Sequence, residues 1–188
     1  MELRSAACSI RPLVLSDVDA LLDLRIRNRE LFTRYEPRRA DPEDGFTRSS
    51  LEAMVIANEQ AWIGDHTYAF GIFHDGELAG RVSLTNIVRA AWLSSTIGYY
   101  VDEGLSGRNL ATEAVKLAVD FAFAHAHLHR VQAAVMPRNK ASIRVCEKAG
   151  FVYEGLARYY LQIDGRWEDH AIYSITPELL PGAPPPAF

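Results

Sequence analysis

Apolar positions change period along this chain, and each change marks an element. Residues 9–15 form a short strand candidate. Ser16 then opens a Ser-Asp-Val-Asp capping pattern, and Leu21, Leu22, Leu24 and Ile26 carry a helix to about Asn28. An irregular, arginine-rich stretch follows, in which Pro37 and Pro42 break any long helix. Ser49 or Ser50 can cap a second helix, whose buried face is marked by Leu51, Met54, Val55 and Trp62. The period then shortens to two. Tyr68, Phe70 and Ile72 alternate, Asp75-Gly76 supplies a turn, and Leu78, Gly80, Val82 and Leu84 alternate again, which predicts a hairpin. After a loop at 89–92, a strand at 95–101 enters a Gly-rich loop. A long helix follows through Leu110, Ala114, Leu117, Ala118 and Phe121 to about His125. A strand at 130–136 leads through Pro137-Arg138-Asn139 into a helix at 140–149 that Gly150 closes. A second hairpin, 151–163 and 166–175, turns at Asp164-Gly165.

The predicted order is β α α β β β α β α β β: an α/β chain with a mixed, mostly antiparallel sheet and flanking helices, with crossover helices near the middle. At 188 residues it is expected to be one domain over 1–176 with a Pro-rich tail at 177–188. The net charge of −4 gives no bulk attraction to nucleic acid or membrane. No apolar run approaches the ~18 residues that span a bilayer, and the N-terminus shows no signal-peptide pattern. Cys8 and Cys146 fit neither a metal spacing nor a disulfide framework. Together these point to a cytoplasmic protein that binds neither nucleic acid nor membrane.

Chemistry concentrates at residues 101–114, VDEGLSGRNLATEA. A tight loop entering a helix aims several backbone N–H groups and the positive end of a helix dipole at one spot, which suits a phosphate or pyrophosphate. The Lys-Ser/Thr pair that closes nucleotide P-loops is absent. A partner segment, MPRNKASIRVCEKAGF, occupies a second strand-to-helix junction about thirty residues on. Together, GLSGRNLATEAV and this segment resemble the two cofactor-binding motifs of the GNAT acetyltransferases. HRVQAAVMPRNKAS and KAGFVYEGLARYYLQIDGRWEDH resemble more narrowly the RimJ/RimL group of protein N-terminal acetyltransferases, with the RimJ branch fitting best. Tyr35-Glu36-Pro37 and Gly80-Arg81-Val82-Ser83-Leu84 extend the resemblance over nearly the whole chain except the tail.

That resemblance implies a GNAT-like fold with splayed strands and acetyl-CoA as co-substrate, with no metal. It places the pantetheine arm along the strand edge at Tyr100 and Val101. It assigns the pyrophosphate to the amides of Gly107, Arg108, Asn109, Leu110, Ala111 and Thr112. Asn139 would hold the pantetheine arm and Ser142 would sit near the sulfur. The loop departs from the family pattern at Gly104, where Gln or Arg is common, and at Asn109, where a glycine is expected. Asn109 either adopts the left-handed turn that Asn tolerates or simply caps the helix. Asn139 is equally open to a capping role. The position of a family tyrosine acid is Cys146, which reads as a small packed hydrophobe, so Ser142 is the expected thiolate stabiliser.

The implied reaction is direct attack of an unprotonated amine on the thioester, with the Val101 N–H receiving the oxyanion. Glu36, Glu103 and Asp102 are candidate bases. Glu36 is preferred, as base or amine-binding carboxylate, against the alternative of an ion pair with a neighbouring arginine. The position of a proposed RimL base is Leu161. Tyr160 is a candidate acceptor contact. Arg25, Arg27, Arg29, Arg34, Arg38 and Arg39 form either a solvated face or an anion-binding rim. His125, His127 and His129 lack the accompanying acids or cysteines of a metal site and are expected at the surface. The expected acceptor is a protein N-terminus of the ribosomal-protein kind. Alternatives are a small amine or antibiotic, or a non-catalytic acyl-CoA sensor. A homodimer is compatible with the sequence.

Overall fold

The computed structural model describes all residues except 38–40, 42, 181 and 183–188. Its strands are β1 (Leu3–Arg4), β2 (Ser9–Arg11), β3 (Tyr68–His74), β4 (Glu77–Val88), β5 (Ser94–Val101), β6 (Arg130–Val135), β7 (Val152–Ile163) and β8 (Arg166–Ile175). The helices are α1 (Val18–Arg27), α2 (Arg29–Tyr35), α3 (Arg48–Ile63), α4 (Leu110–Ala124) and α5 (Lys140–Lys148). The strands form one sheet in the order β1-β2-β3-β4-β5-β6-β8-β7. Every neighbouring pair is antiparallel except β5–β6, which is parallel. The predicted mixed, mostly antiparallel sheet with flanking helices is the observed class.

Both Asp-Gly pairs turn as their chemistry requires. Asp75 and Gly76 have φ of 51° and 85°, and Asp164 and Gly165 have 48° and 79°. Paired left-handed residues match the twist of the flanking strands. Alternation then sorts the strand side chains between two faces. Phe70 and Ile72 join Val82, Leu84 and Ile97 against the apolar face of α4, where Ala114, Val115, Ala118 and Ala122 are fully or almost fully buried. Phe73 and Leu78 join Leu21, Leu24, Leu51 and Val55 beneath α1 and α3.

Four local expectations need correction. The second strand ends at Arg11 because Pro12 has no N–H to donate, and a two-residue strand, β1, pairs beside it. Ser16 does not cap α1. Asp17, gripped by Arg11 at 2.8 Å, accepts from the Val14 amide at 2.9 Å and closes a 3₁₀ turn ahead of the helix. Thr47, rather than Ser49 or Ser50, caps α3, its hydroxyl accepting from the Ser50 amide at 3.3 Å. The arginine-rich stretch contains α2, in which Phe32 is the buried residue, so it carried no apolar period to read. Arg38, Arg39, Pro42 and most of the Pro-rich tail lie outside the described residues.

The feature that positions the site is the junction of β5 and β6. These strands pair at Ser94–Arg130, Ser95–Val131 and Thr96–Gln132 and then diverge. β5 stays with β4 as far as Val101, opposite Gly80, while a register shift between Thr85 and Val88, with Asn86 at φ 52°, bends that pair. The parallel pair therefore opens like a V towards the end of β5.

Candidate active site

The V opens into a cavity of about 570 Å³ lined by Tyr99–Val101 of β5 and 133–136 of and just beyond β6. Ala111, Asn139 and Ser142 line one region of it, and Phe32, Tyr35 and Glu36 another. The Asp102 amide donates to the Ala79 carbonyl at 2.8 Å, on the β4 side. Antiparallel alternation then turns the preceding amide, that of Val101, to the opposite edge, which faces the opening. A free N–H at that edge can receive an oxyanion.

The loop after β5 is anchored by Asp102. Its carboxylate accepts from Arg27 at 2.6 Å, from Asn28 at 3.3 Å and from the Gly104 amide at 3.1 Å. Burial works against ionisation of Asp102, yet these hydrogen bonds together hold its carboxyl below the usual range. A carboxylate so engaged is a poor base. At Gly104 an added Cβ would meet only Asp102 Oδ1, at 3.6 Å, so this departure from the family loop answers no backbone need. Gly107 and Asn109 both lie in the left-handed region, at φ 82° and 63°. Asn109 therefore takes the conformation its motif position requires of a glycine. Its side chain does not cap α4; Nδ2 instead donates to Glu113 at 3.4 Å.

The first amide–carbonyl bond of α4 runs from Glu113 to Asn109 at 3.1 Å, so the amides of Leu110, Ala111 and Thr112 point out of the helix end. The side chains of Leu110 and Thr112 are buried, whereas Gly107, Arg108 and Asn109 are exposed. Positive φ makes a sharp prediction at Asn109. Glycine there should preserve the melting temperature, whereas alanine should cost about 1 kcal/mol in a thermal or denaturant melt.

On α5, Asn139 Oδ1 accepts from the Ser142 amide at 3.1 Å, the helix cap anticipated. This engages its oxygen and leaves Nδ2 as the end able to reach a ligand. Ser142 Oγ lies 2.8 Å from Tyr99 Oη, which is also 3.1 Å from the Ser142 carbonyl and 3.4 Å from Cys146 Sγ. Cys146 is fully buried, and burial pushes its thiol above the ordinary range. Burial, with Cys146 beside it, pushes the Tyr99 hydroxyl well above its own. Tyr99 was missed in the sequence because a strand tyrosine reads as core. The available signal was its alternation with Tyr100, which sends one ring to each face of β5.

The other part of the cavity is built around Arg25. The sequence offered it as part of a solvated face or anion rim, but its side chain is only 3% exposed. It packs 4.2 Å over the Phe32 ring, donates to the Gly45 carbonyl at 2.8 Å, and grips Glu36 at 3.0 and 3.4 Å. Glu36 thus lines the cavity with its charge already paired, as the alternative reading held. Glu103 and Leu161 also line it. Tyr160 does not; a register shift between Ala157 and Leu161 sets it beside His170, ring centroids 5.6 Å apart, and His170 lines the cavity. Of the three histidines, His129 meets Glu178 at 2.8 Å. Among the described residues no group of three or more His, Cys, Asp or Glu could hold a metal ion.

Residues 8–152 match the family model described as "Acetyltransferase (GNAT) domain". The chain belongs to the GNAT acetyltransferases. A probable N-acetyltransferase of Bacillus subtilis, YjcK, is 41% identical over 92% of this chain and 96% of its own. The [ribosomal protein uS5]-alanine N-acetyltransferase of Escherichia coli is 32% identical over 90% and 89%. Mycobacterium smegmatis RimJ, solved in complex with CoA-disulfide, superposes with a TM-score of 0.89 at 30% identity, over 94% of this chain and 85% of that one. This GNAT protein is an acetyl-CoA-dependent N-acetyltransferase. The opened strand edge, the left-handed loop and the three outward amides of α4 suit an extended ligand that carries a pyrophosphate. No helix of the described residues is long and apolar enough to cross a membrane.

Proposed function

We propose that this enzyme acetylates the N-terminal amine of a protein, of the ribosomal-protein class, in the cytoplasm, and that residues 1–176 form its catalytic domain. What carries the reading is the extent of likeness to the uS5-alanine enzyme, which runs over 90% of the chain and so takes in the acceptor-side helices as well as the CoA half. The cavity chemistry agrees. A polycationic small amine calls for an acidic pocket, and here Glu36 is neutralised by Arg25 while Glu103 lines the space together with Arg34.

In this reading the amides of Gly107, Arg108, Asn109, Leu110, Ala111 and Thr112 hold the pyrophosphate, with Arg108 adding charge. Val101 lends its backbone to the pantetheine arm, Asn139 Nδ2 bonds it, and Tyr100, whose own N–H and C=O face Arg81 on β4, holds that edge in place. The amine attacks the thioester carbonyl, the Val101 N–H receives the oxyanion, and Ser142 stabilises the departing thiolate. An α-amine with pKa ~8 is mainly protonated at neutral pH, so it must shed a proton first. Glu36, held in place by Arg25, serves there as an amine-binding carboxylate, and His170, against which Tyr160 packs, contributes to the acceptor side.

Glu36→Gln tests the acceptor half. With a peptide beginning in alanine, kcat/KM is expected to fall at least tenfold while the KM for acetyl-CoA holds. Unchanged turnover on that peptide would remove Glu36 from the mechanism.

A further inference from the structure

The contact between Tyr99 and Ser142 has a chemical consequence. Tyr99 Oη sits 2.8 Å from Ser142 Oγ, and the two side chains approach from different elements, β5 and α5, across the mouth of the V. Both line the cavity. We propose that Tyr99 is a positioning residue for acyl transfer: with the thioester bound, its single proton, which also reaches the Ser142 carbonyl at 3.1 Å, is donated to Ser142 Oγ at 2.8 Å, so that the Ser142 proton is turned towards the leaving sulfur and made a stronger donor. The inference rests on the proposed placement of the thioester sulfur beside Ser142.

A serine hydroxyl has one proton and two lone pairs. Accepting from Tyr99 occupies one lone pair and leaves the proton free for a ligand atom. Chained hydrogen bonds also polarise one another, most of all where water is excluded. A half-buried tyrosine of raised pKa stays protonated through neutral and mildly alkaline pH, so it keeps its proton throughout the working range. Cys146, whose thiol burial keeps protonated, is a weak partner 3.4 Å from Tyr99, so the Ser142 carbonyl at 3.1 Å is the main competitor for the Tyr99 proton. As the tetrahedral adduct collapses, the oxyanion pair re-forms the carbonyl and the C–S pair moves to sulfur. The amine proton passes to solvent. The thiolate, held by the Ser142 hydrogen bond, takes its proton from solvent as it leaves, and Tyr99 neither gains nor loses a proton overall.

The test needs no acceptor. CoA itself is bound to the full-length protein, and its thiol is titrated by thiolate ultraviolet absorbance, with affinity followed by calorimetry. Cys8 and Cys146 stay silent because burial raises both. In the unsubstituted protein the bound thiol should titrate below an ordinary thiol, which lies near ~8.5. Tyr99→Phe should reduce the thiolate fraction on the acidic limb about fivefold to tenfold with CoA affinity kept within twofold. Ser142→Ala should do the same, and the double variant should go no further than Ser142→Ala alone. Coincident titrations for Tyr99→Phe and the unsubstituted protein would overturn the proposal. So would a Tyr99→Phe protein that loses CoA affinity or melting temperature instead, since that marks a purely structural pillar. Failure of the unsubstituted protein to bind CoA would strike the placement of the CoA site, a distinguishable result.

Discussion

Gly80→Ala is expected to cripple this enzyme from a position that bears no chemistry. A Cβ on Gly80 would lie 2.3 Å from the Tyr100 carbonyl oxygen and 2.9 Å from the Val101 Cα, both backbone atoms of the neighbouring strand. Flexible side chains can swing away from such a contact; a paired strand cannot. Overpacking of this kind typically costs about 1–3 kcal/mol. Here the strain falls on the strand edge proposed to bind the pantetheine arm and the oxyanion. A lowered melting temperature, CoA affinity reduced about tenfold or more and turnover reduced about a hundredfold are expected. Gly98→Ala, on the same strand pair, meets only Ser83 Oγ at 4.0 Å and should leave the melting temperature unchanged. Equal effects of the two on stability would show that β5 is not held by the close approach of Gly80.

Val101→Pro probes the proposed oxyanion donor alone. The Asp102 amide pairs with Ala79, and alternation turns the Val101 amide away from β4. Proline at 101 therefore removes no β4 ladder bond, and Tyr100 is already extended as a residue before proline must be. Removing one such donor typically lowers kcat by about 10²–10³-fold. CoA affinity should change only a few-fold, because the Val101 carbonyl, Asn139 and the loop amides proposed to bind pantetheine and pyrophosphate all remain. A variant that keeps both CoA affinity and kcat would rule out the Val101 amide as the donor.

The parts of this molecule that could be read from sequence are those whose cause is local. Asp75-Gly76 and Asp164-Gly165 dictate their turns from two residues each, Asn139 caps its helix from within one turn, and Gly150 ends that helix at φ 92°. The two motifs that mark the CoA half are local in the same sense. Asn109 kept both readings open in the sequence. Only its φ of 63°, with the side chain turned to Glu113, separates a left-handed turn from a cap.

What escaped was assembled across distance. Arg25 lies in α1 and Glu36 just past the end of α2, and their pairing needs α2, whose short span buries little beyond Phe32 and leaves no apolar rhythm. A charged residue in an arginine-rich stretch reads as solvated. Its burial became visible only once the Phe32, Phe46 and Tyr100 rings were seen around it. Tyr99 and Ser142 lie more than forty residues apart in sequence, and nothing in the alternation of β5 names the helix that meets it.

The most direct measurement is mass spectrometry of protein N-termini in cells with and without this enzyme, paired with the purified enzyme, acetyl-CoA and the peptide so identified. The account predicts that an N-terminal acetyl group on a ribosomal-type protein disappears with the enzyme and is restored on that peptide in vitro. An unchanged set of acetylated N-termini, with purified enzyme that transfers acetyl only to small amines or binds CoA without turnover, would contradict it.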